Sequence, residues 1–395
     1  MIGWLQDCLR WWDHWLKGED NGVTEEPVYT AWMFDPDAPV ANATERGGRW
    51  VGEKKWKSPR ITEMKYLFNG IRLDTQTASD ETIEHHSPLS LGMAAGGDWC
   101  RIGVPGEGAL DQREDDARSL AFTSDPLPER LEILGAPVVE LEICADQLNA
   151  TVALRLNDVA ADGTSSRVSY GFLNLTHRDG HSHPAPLEPG KFFKVRVTLN
   201  QTAYAFPAGH RLRVALSTSY WPYIWPSPQP VTLRVRTLSS YLTLPRRPID
   251  RSETPIVFEP AESAPPVPMT ILEQPSINRT FNRDLITGLN KLVLHYSGGY
   301  MGPGRLFRLE PIGVVIGHEK THVCEILDDD PLSARYVVSQ TYDIQRDGKR
   351  FRLFSRIAMR ASEEKFFTEA EARAYENDVE VCVKHWVEDY PRYLV

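Results

Sequence analysis

The sequence predicts a mainly β protein: a two-sheet antiparallel β-sandwich, preceded by one amphipathic helix and followed by a second, smaller antiparallel β domain. Three observations predict it. Segments between residues 138 and 217 alternate apolar and polar side chains and are separated by turn residues, which is the period of a strand with one buried face. One stretch, residues 2–17, instead repeats at about 3.6 residues. A proline-dense run then divides the alternating region from a second one. The predicted boundaries are 1–26 for the helix and its connector, 27–250 for the sandwich, 251–268 for the proline-rich linker and 269–395 for the last domain.

The helix comes first. Trp4, Leu5, Cys8, Leu9, Trp12, Trp15 and Leu16 form one stripe, with Asp7, Arg10, Asp13, His14 and Lys17 largely off it. Gly18 is the expected stop, because a glycine tolerates the left-handed conformation that ends helices. Almost everything after it reads as β, so the stripe looks made to dock on a layer outside this chain, and the chain reads as the tail of a larger enzyme. Pro27–Met33 reads as a strand, and Arg49-Trp50 and Trp56 fall in a loop-rich stretch. Residues 64–68 and 71–73 read as a hairpin around Asn69-Gly70, a pair suited to the positive φ of a tight turn. Residues 74–98 are polar and punctuated by Gly and Pro, hence mostly loop. Residues 138–144, 151–156, 192–199 and 211–217 are the alternating strands. Pro245, Pro248, Pro255, Pro260, Pro265, Pro266 and Pro268 remove donors and fix φ, so this run reads as an extended connector. Beyond it, Phe351–Met359 and Val379–Val383 alternate again, whereas 368–375, Thr-Glu-Ala-Glu-Ala-Arg-Ala-Tyr, fits a strand or a short helix.

Composition narrows the function. The net charge of −10 over 395 residues disfavours a nucleic-acid or anionic-membrane surface, which needs a basic patch. No apolar run approaches the roughly 20 residues of a membrane span. The five cysteines, Cys8, Cys100, Cys144, Cys324 and Cys382, are odd in number and widely spaced, neither a disulfide framework nor a zinc pattern. The expectation is a cytoplasmic protein.

Candidate chemistry is sparse. His318-Glu-Lys-Thr-His322 matches the H-E-x-x-H string. That motif needs a helix, where i and i+4 share a face about 6 Å apart along the axis. Here Gly313, Gly317 and flanking β-branched runs make the context β, and on a strand i and i+4 lie about 13 Å apart. Zn–N bonds of about 2.1 Å cannot bridge that, so no metal is expected. His177, His181 and His183 lie in a loop bounded by Gly180 and Pro184. The G-x-S-x-G turn of α/β-hydrolases does not occur; Ser297 has glycines on one side only. His85-His86 is suggestive only in isolation, and Asp111-Gln-Arg113 reads as a structural Asp–Arg brace. No catalytic residue and no cofactor is predicted.

Several strings nonetheless carry a resemblance. Residues 11–22, Trp-Trp-Asp-His-Trp-Leu-Lys-Gly-Glu-Asp-Asn-Gly, look like the helix that ends the catalytic domain of the cocaine esterase and X-prolyl dipeptidyl-peptidase family of serine hydrolases. The strand 27–33, Gly48-Arg-Trp50, Trp56, the hairpin 66–73, Asp111-Gln-Arg113, 120–127, Leu156-Asn-Asp-Val159 with Asp162-Gly163, and Gly209-His-Arg-Leu-Arg-Val214 with 217–222 are similar to that family's C-terminal part, in order, over residues 1 to about 250. The resemblance implies a jelly-roll, galactose-binding-like sandwich following an α/β-hydrolase core, with a Ser…Asp…His triad that lies entirely in the core. It thus implies a non-catalytic portion, inactive alone, whose partner is that core and whose substrate, with the core, is a small peptide or ester. It also implies that Gly96-Gly-Asp-Trp-Cys-Arg101 reaches the active-site mouth, so Trp99 and Cys100 offer an apolar wall; the alternative is that Trp99 packs in the sandwich. A different reading is a stand-alone binding module for carbohydrate or protein, with Trp221, Tyr223 and Trp225 as a stacking platform.

Overall fold

The computed structural model describes residues 2–55, 57–98, 103–250, 252–299 and 302–395. The strands among them form two sheets, of fourteen and nine strands.

The first sheet curls around one apolar core. Thr151–Val159 lies between Ser165–Asn174 and Arg211–Ser217, which continues to Leu120–Ser124. The opposing layer sets Val138–Ala145 between Phe193–Thr198 and the long strand Leu233–Arg247. Alternation explains the pairing: Val139, Leu141 and Ile143 point inward from one layer and Val152, Leu154, Leu156, Val214 and Leu216 from the other, all buried in one cluster. The sandwich of the resemblance is thus present, with a smaller second sheet after it. A third limb, Leu131–Gly135, Thr202–Phe206, Tyr29–Phe34 and Gly48–Glu53, hangs from the end of Leu233–Arg247. Arg247 anchors that limb: fully buried, it donates to Glu53 (2.8 Å) and Glu253 (2.5 Å) and faces Glu132 at 3.7 Å.

Four local readings need correction or completion. Arg49 and Trp50 are in a strand, Gly48–Glu53, whose Trp50 pairs across to Trp32 with ring centroids 5.2 Å apart. Its two glycines weaken the alternation that announces a strand. Within 74–98, Thr82–His85 adds a short strand to Leu233–Arg247. Pro245 belongs to that long strand, opposite Glu63. Residues 368–375 are resolved as β, inside Lys365–Glu376.

The helix spans Trp4–Trp12 and widens into a π turn over Asp13–Lys17, ending at Gly18 with φ +73°. It is attached by its polar side. Gln6 exchanges hydrogen bonds with Pro260 O and Glu262 N, Arg10 pairs with Asp7 and Glu26, and Asn21 donates to Arg10 O. None of its residues is buried, and Trp4, Leu9, Trp12 and Trp15 are each more than half exposed. No described helix is long and apolar enough to cross a membrane.

The second sheet is an antiparallel meander, Asn290–Ser297, Val314–Ile326, Arg335–Arg346, Lys349–Ala361, Lys365–Glu376 and Val379–Pro391, with Ser276–Arg283 beside Asn290–Ser297. Its last strand is exposed along its whole length. Its first strands pack on the first sheet: Leu292, Leu294, Tyr296, Cys324 and Ile326 share a core with Leu89, Met93 and Trp221. The end of the chain returns to the first sheet, where Asn174 and Thr176 donate to Leu394 O and Arg392 reaches Pro226 O.

Candidate functional site

Trp99 and Cys100, the predicted pocket wall, lie outside the described residues, as does Trp56. The flanking segments run up to Asp98 and on from Gly103. Leu89, Leu91, Met93 and Ala95 are buried beneath them. Tyr223 donates its hydroxyl to Gly96 O at 2.7 Å. Gly97 has φ +72°, and a Cβ there would stand 2.7 Å from Glu107 O and Ala109 N, so the turn requires glycine. The two limbs are tied to each other: Asp98 N donates to Glu107 O, and the buried Glu107 carboxylate accepts from Gly103 N and Val104 N at 2.9 and 3.2 Å. Asp98 also meets the second sheet, through Arg279 Nη1 at 3.2 Å and Tyr296 Oη at 3.3 Å. Burial pushes the Asp98 carboxyl above its ordinary range, against the opposing pull of Arg279.

Asp111 and Arg113 follow directly. Arg113 Nε donates to Asp111 Oδ2 at 2.8 Å, and Asp111 Oδ1 accepts from Arg113 N and Ser165 N. Gln112, between them, is the fully buried member. Its amide group donates to Ala95 O and Leu110 O, and its oxygen accepts from Arg155 at 3.1 Å. The short helix Arg113–Ala117 then lowers Asp115 and Asp116 onto Arg155, itself fully buried, at 3.6 and 3.4 Å. Burial drives the Asp115 carboxyl upward while Arg155 opposes it. Asn157, Ser165 and Arg213 complete the ring of donors around Asp116. This polar cluster fixes the root of the 96–110 loop on Thr151–Val159. Asp111-Gln-Arg113 marked one edge of it in the sequence, and Arg155 among the apolar residues 152–156 was the signal left unread.

The other candidates are placed as follows. His318 and His322 share one face of the strand Val314–Ile326; His318 stacks near Tyr342, and His322 Nδ1 meets Tyr336 Oη at 2.6 Å. Burial takes the His322 imidazole down to about 4. Among the described residues no three metal-binding side chains converge. His177 and His181 approach each other, Nδ1 to Nδ1 3.0 Å. His85 Nε2 meets Ser87 Oγ at 2.9 Å, but Ser87 is fully buried and also accepts the Thr218 N–H, so no substrate reaches it. Trp221 is buried against Trp225 and the second sheet, and therefore offers no face for a sugar.

The chain is similar to several known proteins. Residues 21–256, more than half of the chain, match the family described as the X-Pro dipeptidyl-peptidase C-terminal non-catalytic domain. An inferred serine esterase of Mycobacterium bovis is 28% identical over 232 residues, covering 53% of this chain and 35% of that protein. The cocaine esterase of a Rhodococcus strain is 26% identical over 224 residues, covering 53% and 37%. A CocE/NonD family hydrolase of Staphylococcus aureus has a similar solved structure, with TM-score 0.48 and 14% identity over 61% of this chain and 45% of that one. The chain spans about a third of the length of the curated relatives it matches. Its jelly-roll sandwich, carrying the buried Gln112–Arg155 cluster at the root of the 96–110 loop, belongs to the X-Pro dipeptidyl-peptidase C-terminal non-catalytic domain family.

Proposed function

We propose that this chain is the non-catalytic C-terminal portion of an X-prolyl dipeptidyl-peptidase- or esterase-type serine hydrolase, and that it works docked on an α/β-hydrolase core. The core supplies serine, histidine and aspartate, and the reaction is acyl transfer from a small peptide or ester to water through an acyl-enzyme. This chain contributes no member of the triad. Its 96–110 loop faces the core and carries Trp99 and Cys100 as an apolar wall of the substrate pocket. The free thiols at Cys8, Cys144, Cys324 and Cys382 suit a reducing cytoplasm.

The observation that carries this reading is the helix Trp4–Trp12 with its continuation to Lys17. It is held by its polar side and presents four tryptophans and three leucines outward. Burying each such side chain contributes about 1.5–3 kcal/mol, so the stripe is a docking surface in search of a face. The test is co-expression with an α/β-hydrolase core that carries the serine, aspartate and histidine. The expected result is a co-purifying complex that hydrolyses an Xaa-Pro anilide or a nitrophenyl ester, with Leu9→Asp/Trp12→Asp abolishing both association and hydrolysis. A complex that forms and reacts equally well with the double variant would overturn the reading.

A further inference from the structure

The 96–110 loop is held from outside its own domain. Arg279 lies on Ser276–Arg283 of the second sheet, opposite Leu294. Its guanidinium donates from Nη1 to Asp98 Oδ1 (3.2 Å) and Gly106 O (3.1 Å), and from Nη2 to Gly97 O (3.0 Å). Those acceptors sit on both limbs of the loop, so one rigid fork of donors clamps the neck closed. The Tyr296 hydroxyl takes the other oxygen of Asp98. The loop's own ties, through Glu107 and Tyr223, fix its limbs to each other and to the sandwich at Gly96. The contacts to Arg279 and Tyr296 fix them to the second sheet. The Arg279 side chain is mostly buried, and the tyrosine beneath it lies in the core that joins the two sheets.

We infer that the second β domain is a positioning brace for the substrate entrance, acting through Arg279 and Tyr296 on the neck of the 96–110 loop. The inference rests on the proposed placement of that loop at the pocket, and it gives residues 269–395 a task within the same enzyme. Arg279 touches no reacting atom; it sets where the two limbs of the neck, at Gly97–Asp98 and Gly106, stand.

Hydrogen exchange on the full chain tests the brace without any catalytic partner. In Arg279→Met the amides of residues 96–110 should exchange about tenfold faster or more, the factor expected for lost charge-assisted hydrogen bonds. Amides of 151–159 and 290–297 should keep their protection. Tyr296→Phe, which deletes one hydroxyl, should show a smaller effect in the same place, and Arg279→Lys should restore part of the protection. Unchanged exchange at 96–110 in both Arg279→Met and Tyr296→Phe overturns the brace. If Arg279→Met also loosens 290–297, the Tyr296→Phe and Arg279→Lys data decide. In the complex with the core, Arg279→Met should raise KM more than it lowers kcat. Loosened exchange with unaltered KM and kcat in an active complex overturns the role at the entrance. An inactive complex refutes the proposed function and leaves the exchange result to judge the brace alone.

Discussion

Arg247 shows how much rests on single side chains. It is fully buried among Glu53, Glu132 and Glu253, and it joins the end of the longest strand to the limb that carries Tyr29–Phe34 and Gly48–Glu53. Arg247→Met takes one cation from the buried Glu53 and Glu132, which keep Arg60, Arg49 and Arg130, and should cost up to about 3 kcal/mol, read as a lower urea midpoint. Burial alone would raise the Glu53 carboxyl, but hydrogen bonds from Arg60, Ser58 and Arg247 outweigh it and the net shift is downward; Glu132 behaves alike through Arg49 and Arg130. A depressed carboxyl stabilises the fold above its unfolded-state pKa, and that contribution is lost as pH falls through the depressed folded value. The limb should therefore come loose in acid below the ordinary carboxylate range, and Arg247→Met should weaken only the share of that acid step due to Glu53, leaving the share due to Glu132, which Arg49 and Arg130 hold; fluorescence of Trp32 and Trp50 against pH measures both. The sequence shows such residues unevenly. Gly18 was legible as a helix stop because only local geometry is involved. Arg279 was not, since one arginine on a half-exposed strand looks like any other until its three acceptors, more than 170 residues away, are brought to it.

Elements were legible where burial on one face imposed a period. Val138–Ala145, Thr151–Val159 and Arg211–Ser217 alternate because one side of each meets the shared core. Gly48–Glu53 was missed because its glycines leave gaps in the pattern. Lys365–Glu376 was ambiguous because alanine serves a helix well, although Ala370, Ala372 and Ala374 alternate and each sits opposite a residue of the same face on Lys349–Ala361. The amphipathic helix was legible as an element, and its exposure has a consequence for stability. Leu9→Asp should shift the unfolding free energy of the isolated chain by no more than about 0.5 kcal/mol, since the side chain is already in water. Met33→Ala, fully buried in Tyr29–Phe34, should cost about 2–5 kcal/mol. Urea titrations of the two variants side by side distinguish a stripe kept for association from one that supports the fold.

At the scale of the whole molecule, the two sheets share apolar side chains as well as polypeptide. Leu89, Met93 and Trp221 are buried by Leu292, Leu294, Tyr296 and Cys324. A chain ended at residue 268 exposes the first set, and its sandwich should unfold at a lower temperature than in the full chain, with the near-ultraviolet signal of Trp221 altered before heating begins. This shared core was illegible in the sequence, where the prolines between 245 and 268 suggest two bodies on a string. The final residues alter that picture. Leu394 is pinned to Asn174 and Thr176, and Arg392 to Pro226, so the second sheet is fastened to the first near its beginning through Arg279, along its face and at its end. A body held at one point pivots; a body held at three has no hinge. The proline-rich segment spans the gap without serving as an axis, and the second sheet stands on the first as a fixed lever arm, so that a push on either is felt at once by the other.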